Sequence, residues 1–298
     1  MTIYTRIKNR YSGVHFHPMD YTTLGYLLFL GLLIIPFHNN VLHWWVYPFA
    51  HLIVVWILTE LIRTADQRPS PVLSFLRTFY PALCLAPMWG ELNGLINMMF
   101  PHWANDFLVN TDLALFGVHP TVWVEKLFTP WLTELMNFFY ISYFVFIPLG
   151  SFTLYFKGKQ EETRDFFFLV FFTYTITFFL FLIFPAEGPW VILRDKHTIE
   201  PEGGIILRLV QFVEGRGSIK GGCFPSSHVA AAMTIALATL KSQKKIGIIL
   251  FILSIGVAVS TVYCRYHHAI DSIAGIALGF SLFFAGNAIL KKWKSSHS

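Results

Sequence analysis

The chain has 298 residues, is 55% hydrophobic and 17% aromatic, and carries only 13% charged residues with a net charge of +5. That balance excludes an ordinary soluble domain and points to a membrane protein with no nucleic-acid partner. Its cysteines, Cys84, Cys223 and Cys264, supply neither a disulfide framework nor a CxxC zinc pair.

In chain order, the stretch to Asp20 is polar and carries Arg6, Lys8 and Arg10. The apolar run after it lacks a small-residue cleavage site, so it is read as a retained first helix and not a signal peptide. Eight segments have the length and apolar content of a membrane span: 21–37, 43–62, 79–98, 133–156, 165–184, 226–241, 246–264 and 268–290. The sixth is short and rich in alanine. Gly275 and Gly279 in the eighth permit close helix contact.

Alternating the loops separates the charges. Fifteen of the 22 basic residues fall in threes at five places: around Arg6, Arg63, Lys157, Lys241 and Lys291. The positive-inside rule puts those places, and so both termini, in the cytoplasm. Residues 99–132 and 185–225 are then long exterior segments. The first reads as short amphipathic helices on the membrane surface. The second is rich in glycine and basic residues, which suits a polar pocket.

Two exterior stretches carry chemistry: "FPSSH" at 224–228 and "YHHAID" at 266–271. Both belong to the same membrane face, so Ser226, His228, Arg265, His267, His268 and Asp271 are expected at one cleft. A helix N-terminus attracts phosphate, and Ser226 or Ser227 can cap it or donate to a phosphate oxygen. His267 and Asp271 are four apart, so a helix beginning by His267 sets them on one face. A carboxylate on one ring nitrogen fixes the tautomer and leaves the other nitrogen nucleophilic, while His228 is free to protonate a leaving oxygen.

These residues resemble the second and third motifs of the type 2 phosphatidic-acid phosphatase superfamily. Pro225, Ser226 and His228 match the family's Pro-Ser-Gly-His, with Ser227 in place of glycine, and Ser260, His267 and Asp271 match the third motif. The resemblance implies a phosphohistidine at His267, an orienting Asp271, His228 as general acid and a phosphate contact from Ser226. It covers roughly the last six helices, making 79–298 a six-helix catalytic core and 1–78 a tail with two added helices. The third-motif arginine falls on Thr261, with Arg265 as the substitute. The first motif is absent in strict form, and Arg68-Pro69 is a decoy on the cytoplasmic side. Arg194 is the preferred replacement clamp, with Lys196, Arg216 and Lys220 as rivals.

The bland readings stand beside these. His43 and His51 are read as structural. Glu91 in the third span is either functional or a packing contact, and Asn93 and Asn97 are read as packing. Two histidines and a carboxylate can also hold a metal, but the cationic, glycine-rich approach suits an anion better. If the two motifs meet, Cys223 and Cys264 are close enough for a disulfide.

The expectation is therefore an all-α integral membrane enzyme of about eight helices. It hydrolyses a lipid phosphate or polyprenyl diphosphate without metal or cofactor. The alternatives are transfer of a phospho-headgroup to a lipid alcohol, as in the inositol phosphorylceramide or sphingomyelin synthase branch, and a non-catalytic transporter or scaffold.

Overall fold

The computed structural model describes residues 10–297. Arg6 and Lys8 of the first basic cluster lie outside that range. Among the described residues there is no strand, and the chain is an all-α, multi-pass membrane protein. The helices are α1 (Pro18–Ile34), α2 (Val46–Gln67), α3 (Pro71–Leu95), α4 (Asn105–Phe116), α5 (Pro120–Trp123), α6 (Pro130–Tyr155), α7 (Gln160–Ile183), α8 (Pro189–Ile192), α9 (Ile205–Gly217), α10 (Ser227–Ser242), α11 (Lys244–Tyr263) and α12 (Ala269–His297).

Seven of these are long and apolar enough to cross a membrane: α1 with its continuing turn, α2, α3, α6, α7, α11 and α12. The sixth predicted span is α10, which at 16 residues falls short of that length. Its place explains its composition. It packs against α11, α12, α7 and α6 at once, and most of its residues from Val229 to Thr239 are buried. A helix enclosed on every side needs small residues more than hydropathy. A Cβ on Gly275 would come within 2.8 Å of the Ser226 carbonyl, and one on Gly279 within 2.6 Å of the Ala230 carbonyl. The expected close helix contact is α12 against α10.

Capping fixes where the elements begin. Ser70 and Thr129 accept from the backbone N–H groups of Leu73 and Leu132, and a proline follows each at the first helical position. Asp20 of α1 is fully buried and receives the Arg77 guanidinium at 2.6 Å, with the Tyr80 hydroxyl also bonded to it. This pair ties α1 to α3 and was not read from the sequence.

The basic clusters share one end of the bundle. Arg10 meets Glu60 at 2.8 Å, His17 and Lys294 both meet Asp165, and Lys157 donates to Gln243 at 3.1 Å. Arg68-Pro69 is at this end too, closing α2. The opposite end carries the two long segments. Residues 105–127 form α4, α5 and a 3-10 turn, as their spacing predicts, and residues 185–225 hold α8 and α9. A parallel bridge between Ala186 and Gly222 anchors the second segment. Gly221 in "KGGCF" has a φ of +85°, and a Cβ there would strike Trp103 at 2.3 Å. That glycine serves a left-handed turn and tight packing, not a phosphate cradle.

Candidate active site

The turn between α11 and α12 builds the first half of the site. Arg265 takes a φ of +63°, and the chain reverses so that the N–H groups of Tyr266 and His267 both reach the Thr261 carbonyl, at 2.9 and 3.1 Å. The next helix begins at Ala269, two residues later than expected. His267 and Asp271 are nevertheless together, with Nδ1 and Oδ2 3.6 Å apart. The turn, not a shared helical face, brings them there.

Two carboxylates hold the start of α12. Asp271 accepts from the His268 N–H at 2.7 Å. Asp112, from α4, accepts from Ala269 and Ile270 at 3.0 and 2.9 Å, and its carboxylate lies 3.5 Å from His268 Nδ1. Anionic oxygens at a helix N-terminus satisfy orphan donors and oppose the helix dipole favourably. His268 is completely buried and serves this cap instead of the cleft.

His228 comes from the first turn of α10. Ser226 is the N-cap, its Oγ accepting from Val229 N–H at 3.4 Å while its own N–H reaches the Asp271 carbonyl at 3.1 Å. Ser226 is fully buried and its oxygen is engaged in the cap. Ser227 lines a cavity of about 420 Å³ together with His228. The His228 ring stands among Trp89, Tyr140 and Tyr143, and its centroid is 6.0 Å from that of His267. Its Nδ1 has no hydrogen-bond partner among the described residues.

The cysteines correct a further expectation. Cys223 and Cys264 are both free. The Ala186–Gly222 bridge turns Cys223 inward, and its Sγ donates to Asp271 Oδ2 at 2.8 Å and lies 3.5 Å from His267 Nδ1. Burial, with Asp271 beside it, raises this thiol well above its usual range and keeps it protonated. Cys264 faces a different cavity, and burial pushes it up to about 12.

The expected cations do not join the histidines. Arg265 is buried against Glu125 at 2.8 Å, donates to the Ile199 carbonyl, and has Glu200 at 3.8 Å. Its charge is already matched. With exposed Arg194 it lines a second cavity of about 560 Å³ that also takes in His197, Glu200 and Tyr266. Lys220 is exposed, and its backbone N–H is held by Asn93. Lys196 sits at His119 at 2.9 Å, and Arg216 stacks over Phe212 at 3.8 Å. Glu91 bonds His51 across helices at 2.7 Å, which is the packing alternative.

The model of the PAP2 superfamily matches residues 107–285. The chain belongs to the PAP2 superfamily. A PA-phosphatase related-family protein of Dictyostelium discoideum is 34% identical over 124 residues, which is 38% of this chain but only 22% of that relative. No solved structure matches.

The PAP2 match runs from α4 to α12, and so includes His228, His267, Asp271 and also Asp112, which motif reading passed over. A signal for Asp112 was present. Leu108 and Asp112 are the two buried positions of α4, one turn apart, so an aspartate occupies the inward stripe of a surface helix. Glu214 was missed as well. It reaches the Tyr140 hydroxyl at 2.6 Å from α9 and lines the cavity beside His228. Burial raises its carboxyl above the usual value.

Proposed function

We propose that the protein is a membrane lipid phosphatase working through a phosphohistidine on His267. The observation that carries the reading is the cavity at His228. Its lining combines Leu85, Trp89, Ile147, Tyr174 and Phe178 from three membrane helices with Ser227 and His228 at one edge. An apolar pocket with a few convergent polar groups fits a ligand with an acyl or isoprenoid chain and a phosphate head.

In this reading the lone pair of His267 Nε2 attacks phosphorus while Nδ1–H faces Asp271. The bond to the lipid oxygen breaks, and that oxygen takes a proton from His228. Water then attacks the phosphohistidine, giving its proton back to His228 and releasing phosphate. Ser227 and backbone N–H groups near the start of α10 bind the phosphoryl oxygens. Charge alternation across the loops supports an orientation with this end of the bundle on the exterior or lumenal face and the termini in the cytoplasm.

A second reading keeps the first step and replaces water with a lipid alcohol. What favours it is the separate cavity beside Arg194 and Arg265, room for a second substrate. Purified protein in detergent, given a panel of lipid phosphates with and without diacylglycerol or ceramide, separates the two. Phosphate release that disappears in His267→Ala supports the phosphatase, and a new phospholipid with little free phosphate supports the transferase. Unchanged release by His267→Ala overturns both.

A further inference from the structure

Cys223 Sγ, His267 Nδ1 and Asp271 Oδ2 form a buried triad of mutually adjacent ligand atoms. The separations are 3.5 Å for sulfur to nitrogen, 3.6 Å for nitrogen to oxygen and 2.8 Å for sulfur to oxygen. Tetrahedral zinc, with Zn–S near 2.3 Å and Zn–N or Zn–O near 2.0 Å, sets its ligands about 3.3–3.6 Å apart. Two edges of the triad already have that length, and the third, now 2.8 Å, needs the thiol to move back by about 0.5–0.8 Å. Asp271 Oδ1 is buried without a hydrogen-bond partner among the described residues, so the carboxylate has unspent capacity here.

We infer that these three side chains form an inhibitory site for a thiophilic divalent cation such as Zn2+. Binding expels the Cys223 thiol proton to solvent, and thiolate, imidazole nitrogen and carboxylate each donate a lone pair, with the fourth position left to water. The consequence for turnover rests on His267 as nucleophile. Metal on Nδ1 forces the ring proton onto Nε2, and Nε2 then has no lone pair for phosphorus. The site differs from the other cluster of this kind among the described residues, His17, Glu161 and Asp165. There the Lys294 ammonium already neutralises Asp165, and Glu161 is half exposed.

The test is a titration of purified protein with Cd2+ alone, following ultraviolet thiolate-to-cadmium charge transfer. One equivalent saturating the band is expected, with the band lost in Cys223→Ser and the affinity lowered at least tenfold in His267→Ala. A chain carrying Cys84→Ala and Cys264→Ala, with Cys223 as its sole cysteine, keeps the band. That variant holds the test open if Cys223→Ser does not fold. No saturable binding, or a band that survives Cys223→Ser, overturns the site. Zn2+ at the same stoichiometry is expected to stop phosphate release reversibly to chelator, and a Cys223-dependent band without loss of turnover overturns the inhibition. Absence of turnover in metal-free protein overturns the phosphatase reading and leaves the binding result intact.

Discussion

The imidazoles of His228 and His267 stand edge to face with centroids 6.0 Å apart, one on the first turn of α10 and the other on the turn into α12. The two rings differ in their surroundings. His267 has a carboxylate beside it, whereas His228 is enclosed by aromatic rings. A general acid contributes about 10²–10⁴-fold. His228→Ala is therefore expected to lose that much on an alkyl phosphate and far less on a nitrophenyl phosphate, whose leaving group needs no proton. Equal losses on both substrates would remove His228 from the acid role.

Asp112 holds the start of α12, next to His267, through the backbone. It holds the N–H groups of Ala269 and Ile270 from a different helix. Asp112→Ala is expected to lower thermal stability by about 0.5–2 kcal/mol, the usual cost of a lost cap. The same change should reduce kcat with little effect on KM, since Asp112 does not line the cavity at His228. A change in KM alone would mean that it touches substrate.

Arg265 and Glu125 are expected to act as a structural pair. With both side chains buried, Glu125→Leu strands a guanidinium and should cost about 3–5 kcal/mol. Adding Arg265→Met should recover much of that loss in thermal unfolding. If Arg265 instead clamps phosphate, Arg265→Met will abolish turnover while leaving the unfolding midpoint unmoved.

Glu214 gives a pH dependence. Burial raises its folded value above the roughly 4.3 of an unperturbed glutamate. The native state therefore binds the proton more tightly than the unfolded chain. Its stabilising contribution is full below the unfolded value and is lost as pH rises through the folded one. Unfolding midpoints measured from about pH 4 upward should fall in that window for the native chain, and the fall should be shallower in Glu214→Gln. Parallel profiles would contradict this.

The spans, the surface helices and the meeting of His228, His267 and Asp271 were legible because each depends on local pattern or on loop alternation. The membrane character of α10 was faint because a central helix trades hydropathy for alanine and glycine. The partners of Arg265, Cys223 and Asp112 were not legible. Glu125 meets Arg265 from the far end of the opposite exterior segment. Cys223 meets Asp271 next to the long-range pairing of residues 186 and 222. A glycine-rich, basic loop looks the same in sequence whether its cations face the phosphate or a neighbouring carboxylate.

The most direct measurement is to trap the covalent intermediate. Protein mixed with a phosphorus-labelled lipid phosphate is quenched in base within the first turnover, digested and mapped by mass spectrometry. The expected adduct is acid-labile, base-stable phosphate on His267, absent from His267→Ala. Label found on Cys223 or Ser227, or sustained turnover of His267→Ala, would contradict nucleophilic catalysis by this histidine.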